Sequence, residues 1–371
     1  MLIDDDLLRP ANNNLTLVRL VLASAVIWTH AYWLVTGVSG MDELVPLIGA
    51  PMSVFAVDGF FFLSGFLVYG SLQRRRGVGD FVRARIARLW PALAVSVILT
   101  AIVGGFLTSA SSPAAYLSGP TLQFVVGNLS LLLPGFSLTE LYCGTELCTV
   151  NGSLWTIPWE VRCYFLLALL AFCGLANDRF MRMAVLPASA VGAVAWHLPG
   201  VEGAVTALLG DGIAYNLAMI DRLWSMFALG IAAFIFRAHI RLSWIILVAL
   251  LVACAFALRS DVDLHVESLF TAYAVLCCGF LSSRGGAVSG AWPDYSYGMY
   301  IYAFPTMIAA QALFDFTHYA PLALANLLAT VPLAALSWHF VEKPVLARAA
   351  SWRKSIVIAS TVSKRRSPTL D

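Results

Sequence analysis

Runs of about twenty apolar residues recur along the whole chain, and no other feature limits its fold so severely. They fall at roughly 15–36, 49–70, 90–108, 155–175, 183–197, 218–236, 242–259, 264–282, 294–313 and 320–341, punctuated by Gly, Pro and charge. A helix rises about 1.5 Å per residue, so such a run matches the roughly 30 Å hydrocarbon core of a bilayer. In that medium every backbone polar group must be satisfied internally, which leaves helices or closed barrels. Continuous apolar runs, instead of short alternating ones, select helices. The expected fold is all-α and polytopic, with about ten transmembrane helices. The fifth run is short, and Asp211, Asn216, Asp221 and Arg222 blur the boundaries around it and the next. Segment 121–134 is apolar but too short to cross, which suits an interfacial or re-entrant piece.

Charge is scarce and unevenly placed. Apolar residues make up 60% of the chain and charged residues 12%, against about 45–50% and about 25% in soluble domains. That balance excludes a soluble enzyme, a disulfide-scaffold secreted domain, a disordered chain and an ordinary nucleic-acid binder. The net charge is only +2, but with a cytoplasmic N-terminus 20 of the 23 basic residues fall on the inner side. Segment 109–152 has no Lys or Arg, and the outer side claims only Arg222 and Arg259. The positive-inside asymmetry predicts both termini in the cytoplasm. The opening MLIDDDLLRPANNN lacks the basic n-region of a signal peptide, so the first run is expected to remain as a span. Residues 347–371 form a basic cytoplasmic tail, expected to be disordered. Cys143 and Cys148 share the outer loop, where a bridge and two free thiols are both compatible with the sequence.

Ionisable residues inside spans are costly, and each is a functional candidate. His30 lies in the first run, Asp58 in the second, and Glu160 and Arg162 open the fourth. Threading the first two runs out and back brings His30 and Asp58 within a few residues of one depth, with Glu160 near the same level. A His beside carboxylates suits a general base, its tautomer fixed through the second ring nitrogen. The structural alternative has His30 bonded to a backbone carbonyl and Asp58 capping a broken helix near Gly59. In FVRARIARLWP, Arg85 and Arg88 share a helical face, as phosphate binding requires. An ordinary basic loop touching anionic lipid explains them equally well. No His and Cys spacing resembles a metal site, and neither a phosphate-binding P-loop nor a GxSxG elbow is present.

Four patches together resemble the integral-membrane acyltransferase family 3, which includes bacterial O-acetyltransferases of surface sugars. They are RLVLASAVIWTH, VDGFFFLSGFL with FVRARIARLWP, NGSLWTIPWEVRCY, and DYSYGMYIYAFPT with SWHFVEKPVL. The resemblance implies a membrane acyltransferase domain over residues 1–346, located in a bacterial inner membrane. It implies a catalytic role for His30, contact of Arg85 and Arg88 with an acyl-CoA donor, and functional carboxylates at Asp58 and Glu160. Many relatives carry a His just before the Phe-Pro of the ninth-span motif, where this chain has Ala303. The short stretch after the last run leads us to expect the stand-alone form, without a fused extracellular esterase-like domain.

The expected reaction moves an acyl group, most often acetyl, from cytoplasmic acyl-CoA to a hydroxyl of a carbohydrate or glycoconjugate, with no metal. His30 would be the general base, oriented by Glu160 or Asp58. Asn151, Ser153, Trp155, Arg162 and Tyr164 are candidates for contact with the substrate or the oxyanion. A secondary transporter or flippase for a lipid-linked sugar or small solute is the competing class, since it too carries many spans and a few intramembrane charges.

Overall fold

The computed structural model describes residues 1–75, 77–141, 149–260 and 266–351. Arg76, the pair Cys143 and Cys148, and the tail from residue 352 lie outside the described residues. Within them the regular structure is helical, apart from one isolated antiparallel bridge between Ser137 and Thr149. The long helices are α1 (Leu15–Thr36), α2 (Met52–Gln73), α3 (Val78–Leu107) and α4 (Gly152–Phe172). They are followed by α5 (Asp178–Trp196), α6 (Val201–Leu209), α7 (Asp211–Ile235), α8 (Trp244–Ala257) and α9 (Val266–Arg284). The last two are α10 (Ser296–Phe314) and α11 (Tyr319–Ser351).

Among the described residues, seven helices (α1 to α4, α7, α9 and α11) are long and apolar enough to cross a bilayer. Helices α5 and α6 are bent by 89° at their junction and make an eighth span if taken as one broken element. The protein is an all-α, polytopic membrane protein. Each of the ten apolar runs has a helical counterpart, but α8 is only 14 residues long. Helix α10, at 19 residues, is interrupted by Pro305 and carries Ser, Tyr, Thr and Gln side chains. Segment 121–134 forms only short helical pieces, as its length requires.

Two contacts fix the centre of the bundle. Helices α2 and α7 cross at glycines: a Cβ on Gly65 would lie 1.9 Å from the Phe227 carbonyl oxygen, and one on Gly230 would lie 2.1 Å from that of Phe62. Backbones approach this closely in lipid only where side chains are absent. The second contact sets α1 against α2. Gly37, in the left-handed region at φ +74°, stops α1 with its N–H on the Trp33 carbonyl. The returning loop is tied by buried Asp42, which accepts from Thr29 Oγ1 at 2.6 Å and the Met52 N–H at 2.8 Å.

That tie gives the register. The Ser53 N–H donates to Thr29 Oγ1 at 3.1 Å, so His30 sits level with the start of α2. Asp58 is then about 9 Å further along the axis, at 1.5 Å per residue. The similar depth expected for His30 and Asp58 therefore does not hold. Counting residues from run ends placed them together; the loop hydrogen bonds decide otherwise.

Candidate active site

Helices α2, α3, α4 and α10, with Arg19 of α1, enclose a cavity of about 160 Å³. Each helix turns an i, i+3 or i, i+4 set towards it: Phe60 and Ser64, Arg85 and Arg88, Thr156, Glu160 and Tyr164, and Ser296 and Tyr300. The opposite faces are apolar and exposed, as a lipid-facing surface requires; Phe106, Phe165 and Phe172 are examples. The cavity is thus a mainly apolar pocket with a few charged and hydroxyl groups, set between helices whose outer faces are hydrocarbon.

One end is cationic and heavily braced. Arg19 Nη1 lies 2.6 Å from Asp294 Oδ2, and Arg88 Nη2 lies 2.9 Å from the same oxygen. The other terminal nitrogen of Arg88 is 2.6 Å from Glu342, whose side chain is 1% exposed. Asp294 precedes α10; burial opposes its ionisation, but Arg19 and Arg88 overcome this and hold its carboxyl at about 2. Arg85, one turn from Arg88, is treated differently. Its guanidinium packs over the Tyr164 and Phe81 rings at 5.7 and 5.9 Å, and its Nε is buried with no hydrogen-bond partner among the described residues.

The middle of the cavity holds a three-oxygen cluster. Ser64 Oγ donates to Glu160 Oε1 at 3.1 Å and lies 2.9 Å from the Tyr164 hydroxyl, which also donates to Glu160. The far end is closed by Tyr300, whose hydroxyl is 2.7 Å from Thr156 Oγ1 and whose ring meets Phe60 edge-on at 6.0 Å.

His30 lies beyond this wall and does not line the cavity. Its ring packs against Phe304 at 5.1 Å and Trp33 at 6.4 Å, and makes no hydrogen bond among the described residues. Phe304 follows Tyr300 by one turn, so His30 sits about 6 Å past the closed end. Close by, Gly152 packs on Phe304. Its neighbours Asn151 and Ser153 are both 1% exposed, and Asn151 Nδ2 donates to the Ile301 carbonyl at 2.8 Å. Asn151 Oδ1 and Ser153 Oγ are buried without a hydrogen-bond partner among the described residues. Such groups are uncommon, because each forfeits about 1–3 kcal/mol of solvation.

The residues singled out in the sequence therefore separate. Glu160, Tyr164, Arg85 and Arg88 share the cavity, while His30, Asn151 and Ser153 gather around Phe304. Asp58 joins neither group; its Oδ1 accepts from Arg222 Nε at 3.0 Å, within the α2–α7 contact. Arg162 is exposed and stacks on Trp159 at 4.0 Å, and Trp155 packs against the core. Among the described residues no hydrogen bond or ion pair joins His30 to Glu160 or Asp58. Arg222, Asp294 and Glu342 were passed over in the sequence. Arg222 was counted with the outer loops, although it lies beside an apolar run and faces the only acid of α2. The acids Asp294 and Glu342 stand out at run ends that are otherwise basic.

A set of lipid-facing helices around a cavity that holds a cation without a carboxylate partner among the described residues, together with a carboxylate–hydroxyl cluster, defines a membrane-embedded enzyme or carrier. The family model described as an acyltransferase domain matches residues 12–339. The chain belongs to that family, acyltransferase family 3, and is a membrane acyltransferase. An O-acetyl transferase of Shigella phage Sf6 is 27% identical over 345 residues, covering 90% of this chain and 95% of the relative. Nodulation protein 10 of Rhizobium leguminosarum bv. viciae is 25% identical over 375 residues, covering 90% and 93% respectively. No solved structure matches significantly.

Proposed function

We propose that this protein transfers an acetyl group from cytoplasmic acyl-CoA to a hydroxyl of a carbohydrate or glycoconjugate, within a bacterial inner membrane. Both termini would be cytoplasmic and the chain would cross ten times, the reading that the distribution of basic residues supports. The observation that carries the proposal is the order of Arg85, Glu160 and His30: a cation at one end of the cavity, a carboxylate within it, and an imidazole about one turn beyond Tyr300. Donor phosphates would meet Arg85, and the thioester arm would run along the cavity past Glu160 and Tyr164.

At the far end His30 would accept the proton of the acceptor hydroxyl as its oxygen attacks the thioester carbonyl. An imidazole with no hydrogen-bond partner among the described residues suits this role. The Ser153 hydroxyl, buried and without a hydrogen-bond partner among the described residues, would donate to the oxyanion that develops. Tyr300 would have to swing aside for the thioester to arrive.

The test is acceptor-dependent release of CoA by the purified protein in lipid nanodiscs, supplied with acetyl-CoA and an oligosaccharide. His30→Ala is expected to keep its thermal unfolding profile and lose transfer. Full transfer by a folded H30A, or no release of CoA by the wild type with any acceptor tried, would overturn the assignment.

A further inference from the structure

Two arginines spaced for joint phosphate binding do not have equal freedom to bind it. Both terminal nitrogens of Arg88 are already committed, Nη1 to Glu342 at 2.6 Å and Nη2 to Asp294 at 2.9 Å. The faces of its guanidinium are covered too, by Tyr297 at 5.5 Å and Trp338 at 5.7 Å. Asp294 is shared with Arg19 at 2.6 Å. The result is an alternating chain, Arg19–Asp294–Arg88–Glu342, of two guanidiniums bridged by two carboxyl groups. Neither terminal nitrogen of Arg88 is left over for an anion. To grip a phosphate, Arg88 would have to release a carboxylate that is 1% exposed, leaving that charge buried and unpaired.

Arg85 has no carboxylate partner among the described residues, and its Nε is buried and unsatisfied beside the same cavity. The four members of the charge chain come from α1, the turn before α10, α3 and α11. Arg88 is therefore the point at which α3 is pinned to α10 and α11, and this fixes where Arg85, one turn away, projects.

We infer that Arg85 alone meets the anionic part of the donor, and that Arg88, with Asp294 and Glu342, is a positioning residue that takes no part in donor binding. This rests on the reading of the cavity as an acyl-CoA site.

Charge bookkeeping supplies the experiment. Arg88→Met alone leaves Glu342 buried without its cation and is expected to unfold or inactivate the protein. The double variant Arg88→Met/Glu342→Met removes one charge of each sign and leaves Arg19 paired with Asp294. It should fold, with a KM for acetyl-CoA that rises clearly less than that of Arg85→Met, because the pin that aims Arg85 is loosened but no donor contact is lost. Arg85→Met should raise that KM about tenfold or more without a change in Tm, the loss of one charge-assisted phosphate contact. A folded double variant whose KM rises as far as that of R85M would overturn the inference.

Should the double variant not fold, Glu342→Gln decides. It keeps the shape of the site and an acceptor for Arg88 but removes the opposing negative charge, which leaves the chain with a surplus cation. An unchanged KM supports a positioning role, and a KM that falls severalfold shows Arg88 turning to the donor and refutes it. A wild type that releases no CoA would sink the acyl-CoA reading itself, an outcome distinct from either of these.

Discussion

Gly65→Ala tests the closest contact in the bundle, and through it the shape of the cavity. The new Cβ would stand 1.9 Å from the Phe227 carbonyl oxygen, 2.8 Å from its carbon and 3.0 Å from its Cα. Ordinary contact begins near 3.4 Å, so α2 and α7 must part by about 1.5 Å. A backbone oxygen inside a helix cannot rotate away, and the whole crossing has to open. Phe62, Phe66 and Phe227 are at most 1% exposed there and would lose packing together. A gap of about 0.5–1 Å forfeits a quarter to a half of each dispersion contact, and overpacking costs typically about 1–3 kcal/mol. We expect the upper end of that range, about 3 kcal/mol. The assay is thermal unfolding in detergent or nanodiscs, with Gly192→Ala as control because nothing lies within 4 Å of its Cβ position. The control should be neutral or stabilised by up to about 1 kcal/mol. Ser64, adjacent to Gly65, reaches Glu160 across the cavity, so transfer should fall in G65A even below its unfolding temperature. A G65A protein within about 0.5 kcal/mol of wild type would refute the close crossing of α2 and α7, since overpacking of this kind costs more.

Three other perturbations separate the remaining contacts. Arg222→Met should cost about 3–5 kcal/mol by removing the guanidinium that bonds buried Asp58, and adding Asp58→Asn should recover part of it; strictly additive losses in a double-mutant cycle would show that the pair is not coupled. Tyr300→Ala removes the wall between the cavity and His30, so acceptor-independent hydrolysis of acetyl-CoA should rise above wild type, and no rise in a folded variant would show that the ring is not the barrier. Asp294 titrates at about 2 instead of 3.8, so its stabilising contribution is complete above about pH 4 and is lost as pH falls through about 2. The Tm difference between wild type and Asp294→Asn should therefore narrow as pH falls from about 4 towards 2; a difference that does not narrow over that range would contradict the ion chain as drawn.

Much of the site was legible in part. The scarcity of charge within apolar runs picked out His30, Asp58 and Glu160, and the spacing of Arg85 and Arg88 on one helical face brought both to the cavity. Their partners were not legible. Asp58 is joined to Arg222 across 164 residues, and Arg88 to Asp294 and Glu342 across 206 and 254. None of these pairs has a local spacing rule such as the i, i+4 pattern that makes a helical neighbour readable.

The division has a physical basis. Hydropathy is a property of about twenty consecutive residues, so the chain alone determines that it enters a bilayer, that its regular structure is helical, and which few charges are costly there. The family patches, also local, carry the acyltransferase class. Which charge meets which depends on how far each helix is rotated and shifted against its neighbours. Those offsets are set by long-range contacts, namely the glycine crossing of Gly65 with Gly230 and the loop tie from Asp42 to Thr29 and Met52. A shift of six residues, about 9 Å of helix, removed Asp58 from His30 and gave it to Arg222. Only the packed tertiary structure could make that choice, because the sequence of α1 and α2 reads the same at either register.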